Sequence, residues 1–186
     1  MKRQRAEESL TGGTGDVSPQ WMSFNATQSA ADTTTTTTQA VPVQRLRQGT
    51  RAQVMEVLRV HFFFPPLPVG ASATEAYDEI STYLSTTSFG TTATNYGEPR
   101  VFSGGLISQR HAFTAGGTYM SEKTPEPLHF DLTDGDGHGV LIATDSIYAQ
   151  VNSVSTGSAN TMRIKILYRW KNVSLQEYIG IVQSQQ

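Results

Sequence analysis

Hydrophobic and polar positions alternate along much of this chain with the period of a β-strand. The clearest case runs from Met162 to Lys171. Met162, Ile164, Ile166, Tyr168 and Trp170 take the even positions, and Arg163, Lys165, Leu167, Arg169 and Lys171 the odd ones. Successive side chains of a strand point to opposite faces, so the pattern predicts a strand over 161–171 with one face in the core and four cations in a row on the other. Residues 52–64 form another β-favouring stretch, which Pro65 and Pro66 end because proline supplies no ladder donor. Further strands are predicted near 100–103, 106–114 and 127–132, and over 139–152 and 174–183. Gly104-Gly105, Gly116-Gly117, Asp134 to Gly137 and Ser155 to Asn160 supply turn residues between them. One segment breaks the period. Ser72 and Glu75 have capping-box spacing, and Ala76, Tyr77, Ile80, Tyr83 and Leu84 follow at helical spacing, which predicts a short helix over about 73–84.

Residues 1–50 carry no such pattern. Their large apolar side chains are few, Leu10, Trp21, Met22, Phe24 and Leu46 among them, and they include Gly12, Gly13, Gly15 and an unbroken tract from Thr33 to Thr38. Such a segment buries too little surface to offset its ordering entropy, so 1–50 is expected to be a disordered N-terminal tail that adds nothing to a core. The body is then one domain over 51–186. Many short strands, turn signals at roughly ten-residue spacing and one helix in an early loop point to an all-β sandwich or jelly roll. No repeat with a period of 20–50 residues is present, which argues against a propeller or solenoid.

The composition narrows the function classes. Charged residues make up 16% of the 186 residues, below the roughly 25% usual for soluble domains. Threonine fills much of the gap and favours strands. A formal net charge of −2 excludes a globally basic nucleic-acid binder and leaves a local patch as the alternative. The absence of Cys excludes disulfide scaffolds, Cys-ligated zinc and thiol catalysis. No apolar run reaches the roughly 18 residues of a membrane span, and MKRQRAEES lacks a signal peptide's apolar stretch, so a cytosolic or nuclear protein is expected.

Candidate chemistry is sparse. Asp134, Asp136, His138, Gly139 and Asp145 fit some positions of a calcium-loop template, but His138 and Ile142 occupy ligand positions poorly suited to them. Asp-Gly pairs are also ordinary turn residues, so a plain turn is expected. His61, His111, His129 and His138 show no metal-ligand spacing, there is no GxSxG elbow, and the glycines of 11–15 lack the Lys-Ser/Thr of a phosphate loop. Glu75, Asp78 and Glu79 read as the solvated face of the predicted helix. No enzyme activity, metal or cofactor is expected. The four cations of 161–171 leave two readings open. They form a solvated face that keeps an edge soluble, or a track for phosphates, because like charges on alternate residues repel unless a polyanion relieves them.

Residues 138–186 carry a family resemblance. The VLIATD strand, the stretch KILYRWKNVSLQEYIGIV and the terminal QSQQ resemble the C-terminal third of capsid proteins from small circular Rep-encoding single-stranded DNA viruses. The resemblance implies a single eight-stranded jelly roll whose final strands are 161–171 and 174–183. It also implies self-assembly, in about sixty copies, into an icosahedral shell around a circular single-stranded DNA genome bound without sequence specificity. The place of action would be the virion, after assembly in the host nucleus or cytoplasm, with a host surface receptor as partner and no membrane. Such capsid proteins often begin with a long Arg-rich arm. Here only Lys2, Arg3 and Arg5 stand there, followed at once by Glu7 and Glu8. Genome contact is therefore assigned to Lys2, Arg3, Arg5, Arg45, Arg47 and Arg51 and to an inward-facing Arg163, Lys165, Arg169 and Lys171. The alternative is a lectin-like or cupin-like β-sandwich acting as a small oligomer, with the acidic turn at 134–136 near its ligand.

Overall fold

The computed structural model describes residues 18–42, 51–67, 76–111 and 127–185. The described residues form nine strands: β1 (Gln20–Thr27), β2 (Thr34–Ala40), β3 (Arg51–Phe63), β4 (Ala76–Ser85), β5 (Val101–His111), β6 (Leu128–Asp131), β7 (Val140–Ile142), β8 (Ser146–Val154) and β9 (Thr161–Ser174), followed by helix α1 (Leu175–Ser184). All described pairings are antiparallel. One sheet has the order β1-β9-β3-β6, with β7 also on β3, and the other has the order β2-β8-β4-β5. Strands remote in sequence sit side by side in both sheets, as two interleaved Greek keys require, so eight of the strands form a jelly roll. The ninth, β7, shares with β6 the far side of β3, on either side of a bulge between Val57 and Arg59.

The even positions of β9 face inward as the period demands: Met162, Ile164, Ile166 and Tyr168 are buried with Val57, Val60 and Phe62 of β3, Ile80 and Leu84 of β4, and Ile147, Ala149 and Val151 of β8. Each such side chain contributes about 1.5–3 kcal/mol by leaving water. β9 lies between β1 and β3, so its cations do not guard a sheet edge.

Four expectations need correction. The tail reading fails over 18–42. β1 pairs with β9 along its whole length and β2 pairs with β8. Ala26 and Val41 are core residues, with Met22 and Phe24 packed against them. The domain therefore begins well before residue 51, while 1–17 and 43–50 lie outside the described residues. The threonine tract works as an edge strand because its polar atoms find partners. The Thr34 hydroxyl donates to Asn152 Oδ1 at 3.0 Å and that of Thr36 to the Gly90 carbonyl, while β-branching suits both faces.

From residue 76 on, the predicted helix over 73–84 is strand β4, so there is no helix in that loop among the described residues, and Asp78 and Glu79 lie on a strand, while Ser72 and Glu75 lie outside the described residues. β4 is held between β5 and β8 and is buried from Ile80 to Ser85. A strand covered on both faces loses its alternation, and its apolar residues then fit helical spacing by accident. The converse holds at 174–183, where the predicted strand is α1. Ser174 caps it by accepting from the Glu177 amide at 3.2 Å, the N-cap half of a capping box. Boundaries shift as well: 100–103 and 106–114 merge into β5, and 139–152 divides into β7 and β8. Between β6 and β7, Gly139 is required by space, since a Cβ there would stand 2.1 Å from the Val57 carbonyl oxygen.

Candidate nucleic-acid interface

The outer face of the β1-β9-β3-β6 sheet carries the odd positions of β9. One end of this face is covered by α1. Tyr178, Ile181 and Val182 pack over a small second core of Ala52, Val54, Ala143 and Val173. Gln185 fastens the helix end: its Oε1 accepts from the Ala143 amide at 3.0 Å, its Nε2 donates to the Leu141 carbonyl, and its carbonyl accepts from the Thr87 hydroxyl at 3.0 Å.

Next along the face is Glu56, fully buried. Its carboxylate accepts from Arg169 Nε, from Lys171 Nζ at 3.4 Å and from the Gly139 amide at 3.1 Å. Burial alone would raise the Glu56 pKa. The Arg169 hydrogen bond, the Gly139 amide and the charges of Lys171 and Arg169 outweigh it and hold the carboxyl below its ordinary value. Arg169 also donates to the Gly137 carbonyl at 3.3 Å. Two of the four predicted genome cations are thus tied to a buried carboxylate.

The other two stand apart from it. Arg163 and Lys165 are exposed, and among the described residues neither is ion-paired. Around them the register assembles side chains that the sequence reading left unassigned as a site. Lys165 lies opposite Ser23 of β1 and His61 of β3, and His61 opposite His129 of β6. The His61 ring is 4.1 Å from His129, edge-on, and 4.8 Å from Trp21, which reaches over from β1. Lys165 Nζ sits 5.6 Å from the Phe63 ring. Arg59 pairs with Asp131 at 3.2 Å in solvent. Burial pushes the His61 pKa down, and His129, Arg59 and Lys165 push it further the same way. The signal for this cluster was Arg59, His61 and Phe63 at alternate positions of one strand. Which strands flank them is set by tertiary pairing alone.

Other predicted residues are placed as follows. Lys2, Arg3, Arg5, Arg45 and Arg47 lie outside the described residues. Arg51 and His111 are described in backbone only, opposite Ser174 and Ala76. Of the calcium-template residues, Asp134, Asp136 and His138 form a turn closed on itself, with Asp145 away from it just before β8: Asp134 Oδ1 accepts from the amides of Asp136 at 3.0 Å and His138 at 2.8 Å, and Oδ2 contacts the His138 ring at 3.2 Å. These bonds, the His138 amide first, hold the Asp134 carboxyl below its usual range. Among the described residues no group of three His, Asp or Glu side chains is placed to hold a metal.

No family model and no curated protein matches the chain. Solved structures do. VP1 of Trichodysplasia spinulosa-associated polyomavirus, in complex with sialylated precision glycooligomers, aligns over 84% of this chain and 95% of its own, at 7% identity and a TM-score of 0.50. The same protein in complex with GM1 oligosaccharide gives 83% and 95%, 7% identity and 0.49. Merkel cell polyomavirus VP1, as an unassembled pentamer, gives 87% and 98%, 8% identity and 0.46. The fold is a jelly roll. At these identities the likeness is one of architecture, and it agrees with the strand order found above. It does not single out the capsids of Rep-encoding single-stranded DNA viruses.

Proposed function

We propose that this chain is a virion shell subunit, which closes in about sixty copies into a small icosahedral capsid around a circular single-stranded DNA genome and binds that genome without reading its sequence. The observation that carries the proposal is the strand order, β1-β9-β3-β6 against β2-β8-β4-β5, a jelly roll with the architecture of a polyomavirus coat protein. The resemblance of 138–186 to circular single-stranded DNA virus capsids supplies the genome type. The mechanism is geometric. Leu106, Val154, Leu175 and Ile179 are exposed apolar side chains on β5, β8 and α1, and each element offers a contact surface to a neighbouring copy. Contacts of that kind close into a shell when the rotations fit, and closure also covers sheet edges that would otherwise invite open-ended pairing. Lys2, Arg3, Arg5, Arg45, Arg47 and Arg51 would add to genome contact.

Light scattering on the untagged chain, with the ratio of absorbance at 260 and 280 nm, tests this. Sixty copies of a 20.3 kDa chain give a particle of about 1.2 MDa, and an elevated ratio reports enclosed nucleic acid. A monomer or dimer at every salt concentration and pH would overturn the shell and leave a β-sandwich ligand-binding module, lectin-like or cupin-like, as the reading.

A further inference from the structure

We propose that the outer face of the β1-β9-β3-β6 sheet carries a proton-linked platform for single-stranded nucleic acid, with Trp21 as the base-stacking ring, Arg163 and Lys165 as the phosphate contacts and His61 as the group that takes up a proton when the strand binds. This deepens the genome-binding part of the proposal above, but it does not depend on shell closure.

Three observations point to that occupant. The first is Trp21. It is 51% exposed on a strand whose neighbouring residues Met22 and Phe24 turn into the core, and its ring leans on His61. An indole held by a neighbour with one face open is a stacking surface, and bases of any sequence have a π-face to offer it.

The second is charge. Glu56 is shared by Arg169 and Lys171, one negative charge against two positive, and Asp131 offsets Arg59. Arg163 and Lys165 have no carboxylate partner among the described residues, so the least compensated positive charge on this face lies beside the aromatic cluster. These two lie two residues apart on one strand, about 6.6 Å along its axis, a spacing that lets them meet successive phosphates of an extended strand. Bases in a duplex are stacked on one another and cannot reach Trp21, so the chemistry selects single strands.

The third is the setting of His61. It is faced by Trp21 from β1, by Lys165 from β9, by Arg59 and Phe63 on its own strand and by His129 from β6, with Arg163 opposite Phe63 and Asp131 opposite Arg59. Burial and the positive groups around it disfavour its charged form. A polyanion laid across Arg163 and Lys165 reverses the sign of that field and favours protonation. By linkage, a ligand that draws a proton onto His61 must itself bind more tightly as pH falls.

The test is fluorescence anisotropy of a labelled oligothymidylate titrated with the full chain, at several salt concentrations and at pH values on either side of 6.5, the ordinary value for histidine. Light scattering is read on the same samples. Trp21→Ala is expected to weaken binding about 5- to 150-fold, the range for losing one stacked base, and Trp21→Phe to recover most of it. Lys165→Gln should lower the slope of log affinity against log salt by about 0.7, and His61→Gln should flatten the pH dependence. Wild-type affinity in Trp21→Ala, equal affinity for a duplex of the same length, or an unchanged pH profile in His61→Gln would each overturn the platform. If Trp21→Ala fails to give a cooperative melt, Trp21→Phe and Lys165→Gln decide the matter. A chain that assembles but shows none of these effects overturns the platform and leaves the shell. One that binds as expected at monomer mass overturns the shell and leaves the platform.

Discussion

Glu56 is the residue on which the centre of the first sheet turns. It joins β3 to β9 through Arg169 and Lys171, and to the β6–β7 connection through the Gly139 amide. Removing Arg169 strands a fully buried carboxylate, so Arg169→Ala is expected to cost about 3–5 kcal/mol. Lys171, at 3.4 Å and partly in solvent, should cost about 1 kcal/mol or less. Urea denaturation at neutral pH measures both, and a cost for Lys171→Ala equal to that for Arg169→Ala would show that the pairing is not what holds Glu56. The pH dependence has a definite sign. The folded Glu56 pKa lies below the ordinary value of 4.5, so its contribution is present above about 4.5 and is lost as pH falls through the folded value. His61 acts in the same direction in a higher window. Its folded pKa lies below 6.5, so the unfolded chain takes up the proton first and stability declines as pH drops below 6.5. Thermal melts of Glu56→Gln and His61→Gln should each lose one of these two declines.

At the level of elements, β1 and β2 change what a truncation does. They pair with β9 and β8 and bring Ala26 and Val41 into the core. Deleting 2–44 would turn two interior strands into bare edges and open the core. The cooperative unfolding transition is expected to disappear, as calorimetry would show, and a truncated chain that still melts cooperatively would mean that the sandwich closes without them. The sequence hid these strands because β1 alternates only weakly and β2 is a threonine run, polar on both faces. A strand of this kind becomes legible only beside the partners Asn152 and Gly90 that its hydroxyls bond. β9 was legible from its long alternating run and one clean core face, and β3 as a long β-favouring stretch ended by Pro65 and Pro66. The helix was a matter of two similar patterns. Ser72 with Glu75, and Ser174 with Glu177, share the same spacing; the second begins a helix, and the first lies outside the described residues, ahead of strand β4. Tyr178, Ile181 and Val182 of the helix have a surface of Ala52, Val54, Ala143 and Val173 to dock on, whereas Ile80 and Leu84 are claimed by strand pairing within the other sheet. The site followed the same rule: the four cations of β9 could be read from alternation, but their division into two unlike pairs depends on Glu56, one strand away.

For the molecule as a whole, under the proposed function, that division separates stability from cargo. Arg163 and Lys165 project from the sheet with no described carboxylate to satisfy them, while Arg169 and Lys171 neutralise Glu56. Charge reversal should therefore have opposite consequences at the two ends of one strand. Arg163→Glu with Lys165→Glu removes positive charge from the exposed face and touches no core contact, so the chain should fold and assemble as before while carrying less nucleic acid. Arg169→Glu with Lys171→Glu would place three carboxylates around one buried site, and repulsion there in a low dielectric should prevent folding altogether. Size-exclusion chromatography with light scattering and dual-wavelength absorbance resolves the two outcomes, because it reports particle mass and nucleic-acid content for the same peak. If the first double variant assembled with an undiminished absorbance ratio, this face would not be the one turned toward the genome. The shell would then have to hold its cargo through another surface of the jelly roll.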